Sequence, residues 1–115
     1  MKEISKSIQY KGKEYKMVFN LNVMQMIQIE YGSIDKWATL SDGSSGEPNA
    51  GAVIYGIKEM LNEGIDIANE ENGTNDPPLT AKQVGRMITE YGLSNLTKTM
   101  NEVVIDSTRS DQKNA

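Results

Sequence analysis

Apolar and polar residues alternate along Ile8-Gln9-Tyr10 and again along Tyr15-Lys16-Met17-Val18-Phe19. That two-residue period belongs to strands with one buried face. Lys11-Gly12 lies between them, with a glycine to take positive φ, so the pattern predicts a β-hairpin. Tyr15, Met17 and Phe19 then share one face. Two strands alone are marginal in water, so that face requires a helix against it.

Helical spacing takes over at Asn20, a good N-cap, and holds to Gly32, a natural C′ residue. Leu21, Val23, Met24, Ile27 and Tyr31 are expected on one broad inward face, while Met26 and Ile29 point elsewhere. A helix that is apolar beyond one stripe is buried on more than one side. Ser33 or Asp35 opens a short helix carrying Trp37 and Leu40. Ser41 to Asn49 reads as a flexible loop, after which Pro48 suits the first turn of a third helix. Ala50, Val53, Ile54, Ile57, Met60 and Leu61 form its stripe, which is expected to fray at Asn62-Glu63-Gly64. Asn69 to Pro78 reads as a second loop.

The next helix start is the best marked. Thr80 and Gln83 predict a capping box, with Leu79 and Val84 as its hydrophobic staple. Val84, Met87, Ile88 and Tyr91 make the buried stripe, and Gly92 ends it. Ser94 is expected to cap a last helix with Leu96, Met100, Val103 and Val104 facing inward. Glu30-Tyr31-Gly32 recurs as Glu90-Tyr91-Gly92, the same way of ending a helix used twice. The elements predict an α+β, mostly α fold, with an N-terminal β-hairpin packed on a bundle of four to five helices. One domain is expected over 1–106, with flexible loops near 41–49 and 69–78. From Ser107 onward the only apolar residue is the terminal alanine, which predicts a disordered polar tail over 107–115.

Charge sharpens the picture around the first helix. Thirteen consecutive positions, 17–29, carry no charge, although 24% of the chain is charged and its net charge is −4. Such a stretch in a polar domain has to be covered, by the domain itself or by a partner. The charge is also uneven: residues 1–57 hold six bases and six acids, residues 58–115 six bases and ten acids. Glu59, Glu63, Asp66, Glu70, Glu71 and Asp76 form an acidic run. A protein that binds through phosphates needs the opposite bias, so no nucleic acid partner is expected. No apolar run approaches a membrane span and no signal pattern opens the chain, so no membrane partner is expected either.

Candidate chemistry is sparse. The chain has no cysteine and no histidine, which removes disulfides, thiolate metal sites and the commonest general base. Glu59/Glu63 and Glu102/Asp106 are carboxylate pairs four residues apart, each on one helix face. Two catalytic carboxylates or a divalent-ion site could take that form, but a solvated acidic face is the expected reading. The acidic loop from Asn69 fails the calcium-loop spacing, because Gly73 is fifth and Thr80 stands where a bidentate Glu is needed. Gly43 and Gly46 lack the Lys-Ser/Thr ending of a phosphate loop. A Ser–Lys pairing remains a formal option for nucleophilic catalysis. The expectation is a non-enzymatic protein with no cofactor, no metal and no catalytic residues.

Protein binding is the favoured reading and DNA binding its rival, which the acidic charge weighs against. Helix–Gly–helix across Lys82 to Met100 resembles a helix-turn-helix regulator of DNA, though its second helix offers only Lys98 and Arg109 as bases. The other reading is protein binding. Methionines fill cores, yet they also make adaptable binding surfaces, and tryptophan is enriched at interface hot spots. Met26, Ile29 and Trp37 are the candidate partner-binding residues.

The order of elements carries a resemblance. Ile8-Gln9-Tyr10-Lys11-Gly12-Lys13-Glu14-Tyr15, then Phe19-Asn20-Leu21-Asn22, then Glu30-Tyr31-Gly32-Ser33, resembles the start of phage tail assembly chaperones from long-tailed phages of Gram-positive bacteria. Pro78-Leu79-Thr80 opening a late helix with Val84-Gly85, followed by an amphipathic helix and a polar tail, is similar to the same family. The resemblance covers roughly residues 6–106. It implies a bacteriophage protein that works in the host cytoplasm during virion assembly and is not expected in the mature virion. Its implied partner is the tape measure protein, whose long apolar helices it keeps soluble. It also implies self-association into a homo-oligomer and a longer form made by ribosomal frameshifting. A structural tail or connector protein retained in the virion is the further alternative.

Overall fold

The computed structural model describes residues 4–44 and 46–113. Strands β1 (Ile4–Tyr10) and β2 (Lys13–Phe19) pair antiparallel with Ile8 opposite Tyr15 and Lys6 opposite Met17. Lys11 and Gly12 both have positive φ, 50° and 76°, as a two-residue type I′ connection requires. The register puts Ile8, Met17 and Phe19 on one face, where all three are buried.

Five helices follow among the described residues: α1 (Leu21–Tyr31), α2 (Ile34–Asp42), α3 (Ala50–Asn72), α4 (Ala81–Tyr91) and α5 (Leu93–Lys113). The architecture is α+β and mostly α. Helix α3 lies against β2 and touches all four other helices or their ends, while α5 crosses both strands. Every element contributes to one apolar cluster that runs from Ile8 through Ile27, Trp37, Ile57 and Met87 to Val103.

Capping follows the sequence closely. Asn20 Oδ1 accepts from the Val23 N–H at 3.2 Å, Ser33 Oγ from Lys36 at 3.1 Å, and Asn49 Oδ1 from Ala52 at 2.9 Å. Thr80 and Gln83 make the reciprocal capping box, with bonds of 3.1 and 2.8 Å. With Asn49 as cap, α3 starts at Ala50, and Pro48 stands before the cap instead of in the first turn. Ser94 likewise lies inside α5, which follows Gly92 directly.

Helix α3 is the main departure. It does not fray at Asn62-Glu63-Gly64 but runs on to Asn72, so residues 69–72 are helix and not loop. The reason is contact. Gly64 is buried against β2, and a Cβ there would drive into the Lys16 carbonyl. A residue that looks like a helix breaker is the one that lets helix and strand approach. Gly56 acts similarly: a Cβ on it would meet the Trp37 ring, 2.8 Å from Cε2 and 2.9 Å from Nε1. The loop that follows is organised by Asn69, whose Oδ1 accepts from the Asp76 N–H and from Thr74 Oγ1, and whose Nδ2 donates to the Asp76 carbonyl.

The boundary expected at Ser107 also moves. Helix α5 continues through Lys113, so a disordered tail does not begin at 107; Asn114 and Ala115 lie outside the described residues. Ser107 is buried four residues after Val103, on the same helix face, and its hydroxyl donates to the Phe19 carbonyl at 3.3 Å. A small polar residue thus satisfies the end of β2 and extends the packed face by a turn.

Candidate partner-binding surface

Helix α1 is held from below and at both ends. Val23 and Ile27 are fully buried, and Met24 and Tyr31 pack partly against the core. Glu63 of α3 accepts from Asn20 Nδ2 at 2.6 Å and from Asn22 Nδ2 at 3.0 Å, tying down the first turn. Further along, the Tyr55 hydroxyl donates to the Met26 carbonyl at 3.0 Å. The Tyr31 and Tyr55 rings meet edge to face, 5.6 Å between centroids. Burial raises both phenol pKa values above 10.0; Glu59, Glu30 and Tyr31 add to this at Tyr55, and Glu30 at Tyr31.

The opposite face of α1 is open. Leu21 is 68% exposed, Met26 41% and Ile29 70%, interleaved with exposed Asn22, Gln25 and Gln28. No charge breaks this face between Phe19 and Glu30. Other large exposed apolar residues, Leu93 and Ile105, are single exposures on α5, which are ordinary on a soluble surface. Three on one eleven-residue helix make a patch of the kind that marks an interaction site.

Met26 and Ile29 therefore stand on the surface, together. Trp37 does not join them. It is 1% exposed, stacked on Gly56, with its indole N–H donating to the Ala52 carbonyl at 2.9 Å. It is a core residue that locks α2 to α3, so it is withdrawn as a surface contact. In its place stands Leu21, which the sequence reading put on the inward face. Leu21, Gln25 and Ile29 recur every four residues, on the side away from Val23 and Ile27. Centring the inward face on Val23 and Ile27, the pair closest to the helix middle, shows the difference.

A groove of about 270 Å³ runs beside the patch, between α1 and α3. Asn22 and Met26 line one wall, Glu59, Glu63 and Asp66 the other, with Asp76 and Pro78 at one end; among the described residues no basic one lines it. A second hollow, between β2 and the end of α3, has mixed charge from Lys13, Glu14, Lys16, Glu71 and Asp76. The remaining carboxylate pair is split: Glu102 faces Lys6 at 3.5 Å while Asp106 is exposed. Among the described residues, no three His, Cys, Asp or Glu side chains converge to hold a metal ion.

No protein-family model, curated protein or solved structure matches the chain. Function is therefore argued from the surface itself. What this surface offers is apolar area on a helix uncharged as far as Ile29, with an acidic margin on the α3 side. Where the helix-turn-helix reading needs base-contacting groups, the first turn of α5 presents Leu93, Ser94 and Asn95, all exposed, with Lys98 further along.

Proposed function

We propose that this chain is a non-enzymatic tail assembly chaperone of a long-tailed phage, which binds the tape measure protein and keeps it soluble during tail morphogenesis. The observation that carries the reading is the outer face of α1, where Leu21, Met26 and Ile29 stand exposed on a helix anchored by Glu63 and Tyr55. Apolar helices of a long, unassembled partner need temporary cover, and burying such surface is favourable by ~25 cal/mol per Å², less the cost of ordering. The hairpin-to-helix order that resembles this family supports the same reading. The work belongs to the host cytoplasm, before the particle is complete.

Co-expression with the tape measure protein encoded in the same phage tests it. The expected result is a soluble tape measure protein only when this chain is present, and loss of that effect with Ile29→Asp. A tape measure protein equally soluble without the chain sinks the proposal. Recovery of the chain from purified particles in stoichiometric amount would instead make it a structural tail component.

A further inference from the structure

The α1–α3 groove says more about the partner than the apolar patch does. Its acids are not equally compensated. Glu59 has Lys58 at 3.8 Å and Asp76 has Lys13 at 3.9 Å, both pairs at the margins. Among the described residues, Glu63 receives only the neutral amides of Asn20 and Asn22, and exposed Asp66 makes no ion pair. Two carboxylates therefore face the groove with no cation paired to them among the described residues, and Met26 forms part of both groove and patch. A lysine or arginine suits this junction, because its alkyl stem lies along apolar surface while its head reaches the carboxylates. A second copy of this chain suits it poorly. With a net charge of −4, and the acidic run beside α1, face-to-face copies set acid against acid.

Resting on the reading of α1 as the partner surface, we infer that the bound segment is an amphipathic helix with Lys or Arg flanking its apolar stripe. The stripe covers Leu21, Met26 and Ile29, and one cationic head seats between Glu63 and Asp66. The apolar face supplies the hold; the groove selects the partner and its orientation.

The test uses three synthetic helical peptides of about 18 residues, five turns, with the same leucine stripe and flanks of Lys, Gln or Glu. Each is titrated into the isotope-labelled full chain, with amide shifts as the readout. The Lys-flanked peptide is expected to bind about tenfold tighter than the Gln-flanked one at low salt, with the advantage fading as salt rises. Shifts should centre on α1 and residues 59–66. Asp66→Asn should weaken the Lys-flanked peptide about threefold and leave the Gln-flanked one unchanged. Asp106→Asn, the same charge change on α5, should alter neither. Equal affinity for Lys and Gln flanks, shifts centred elsewhere, or no binding by any peptide overturns the inference. Tape measure solubilisation in co-expression is read separately, so the charge rule can fall while the chaperone reading stands.

Discussion

Helices α1 and α4 are built to one plan and used differently. Both have eleven residues, and both end in Glu-Tyr-Gly, so Leu21–Tyr31 aligns with Ala81–Tyr91 position for position. Each N-cap side chain accepts from the third residue of its helix, and each terminal glycine N–H donates to the carbonyl four residues back, at 2.8 and 2.9 Å. Both bury apolar residues inward, Val23 and Ile27 on α1, and Val84, Met87 and Ile88 on α4. The outward faces differ: where α1 shows Leu21, Met26 and Ile29, α4 shows Ala81, Arg86 and Thr89. Helix α4 is finished by its own domain. Helix α1 buries its own inward residues and carries in addition an exposed apolar surplus.

The largest test of this pairing removes the inward anchors. Ile27→Ala and Met87→Ala occupy the same aligned position, and both side chains are fully or almost fully buried. Each should cost about 3 kcal/mol in urea unfolding. A loss below about 1 kcal/mol at Ile27 would mean that α1 is not seated as a core helix, and the contrast between its two faces would collapse.

Caps give the next effect. Thr80→Ala removes one half of a capping box and should cost about 1 kcal/mol. Asn20→Ala should cost more, about 1.5–2 kcal/mol, because Asn20 also donates to Glu63 and so ties α1 to α3. Equal losses at the two caps would show that the Glu63 link adds nothing.

Much of this pairing is legible in the sequence, and the misses have causes. Caps and stripes depend on neighbours within a few residues, which is why Asn20, Thr80 with Gln83, and the stripe Val84, Met87, Ile88 are read correctly. The hairpin is local in the same way. Long-range contact is different. Gly64 looks like a helix end until β2 is brought against it, and Gly56 is explained only by the ring of Trp37. Trp37 shows the same limit: its residue type suits an interface and a core alike, and the partner that decides is fifteen residues away at Ala52. Ser107 reads as tail because its binding partner, the Phe19 carbonyl, is at the other end of the chain. In the candidate site, Met26 and Ile29 are legible as residues off the main stripe. Leu21 and the acidic groove are not, since one needs the true orientation of α1 and the other needs α3 to continue past Gly64.

A smaller effect distinguishes how α1 is held at its middle. The Tyr55 hydroxyl bonds the Met26 carbonyl, and burial, then Glu59, Glu30 and Tyr31, raise its pKa above 10.0. Folding therefore favours the protonated phenol. The stability this gives is complete below pH about 10 and is lost as pH rises through the folded-state pKa, where the unfolded chain holds fewer protons. Unfolding midpoints should fall above about pH 10, less steeply in Tyr55→Phe, which should itself cost about 1 kcal/mol at neutral pH. An unchanged slope in that variant would remove Tyr55 from the account.

The smallest expected change in stability is the most informative about function. Met26→Arg with Ile29→Thr writes the outward residues of α4 onto α1 at the aligned positions. Ile29 is 70% exposed and Met26, at 41%, lies outside the core, so stability should shift by less than about 1 kcal/mol. Binding should change far more, because the patch loses two of its three apolar residues and the new guanidinium lies beside Glu63 and Asp66, where it neutralises the groove from within. Under the proposed function, the expected outcome is a chain that unfolds at nearly the same urea concentration and fails to keep the tape measure protein soluble. A variant that folds normally and still solubilises it would place the partner surface elsewhere and leave α1, like α4, a helix finished by its own domain.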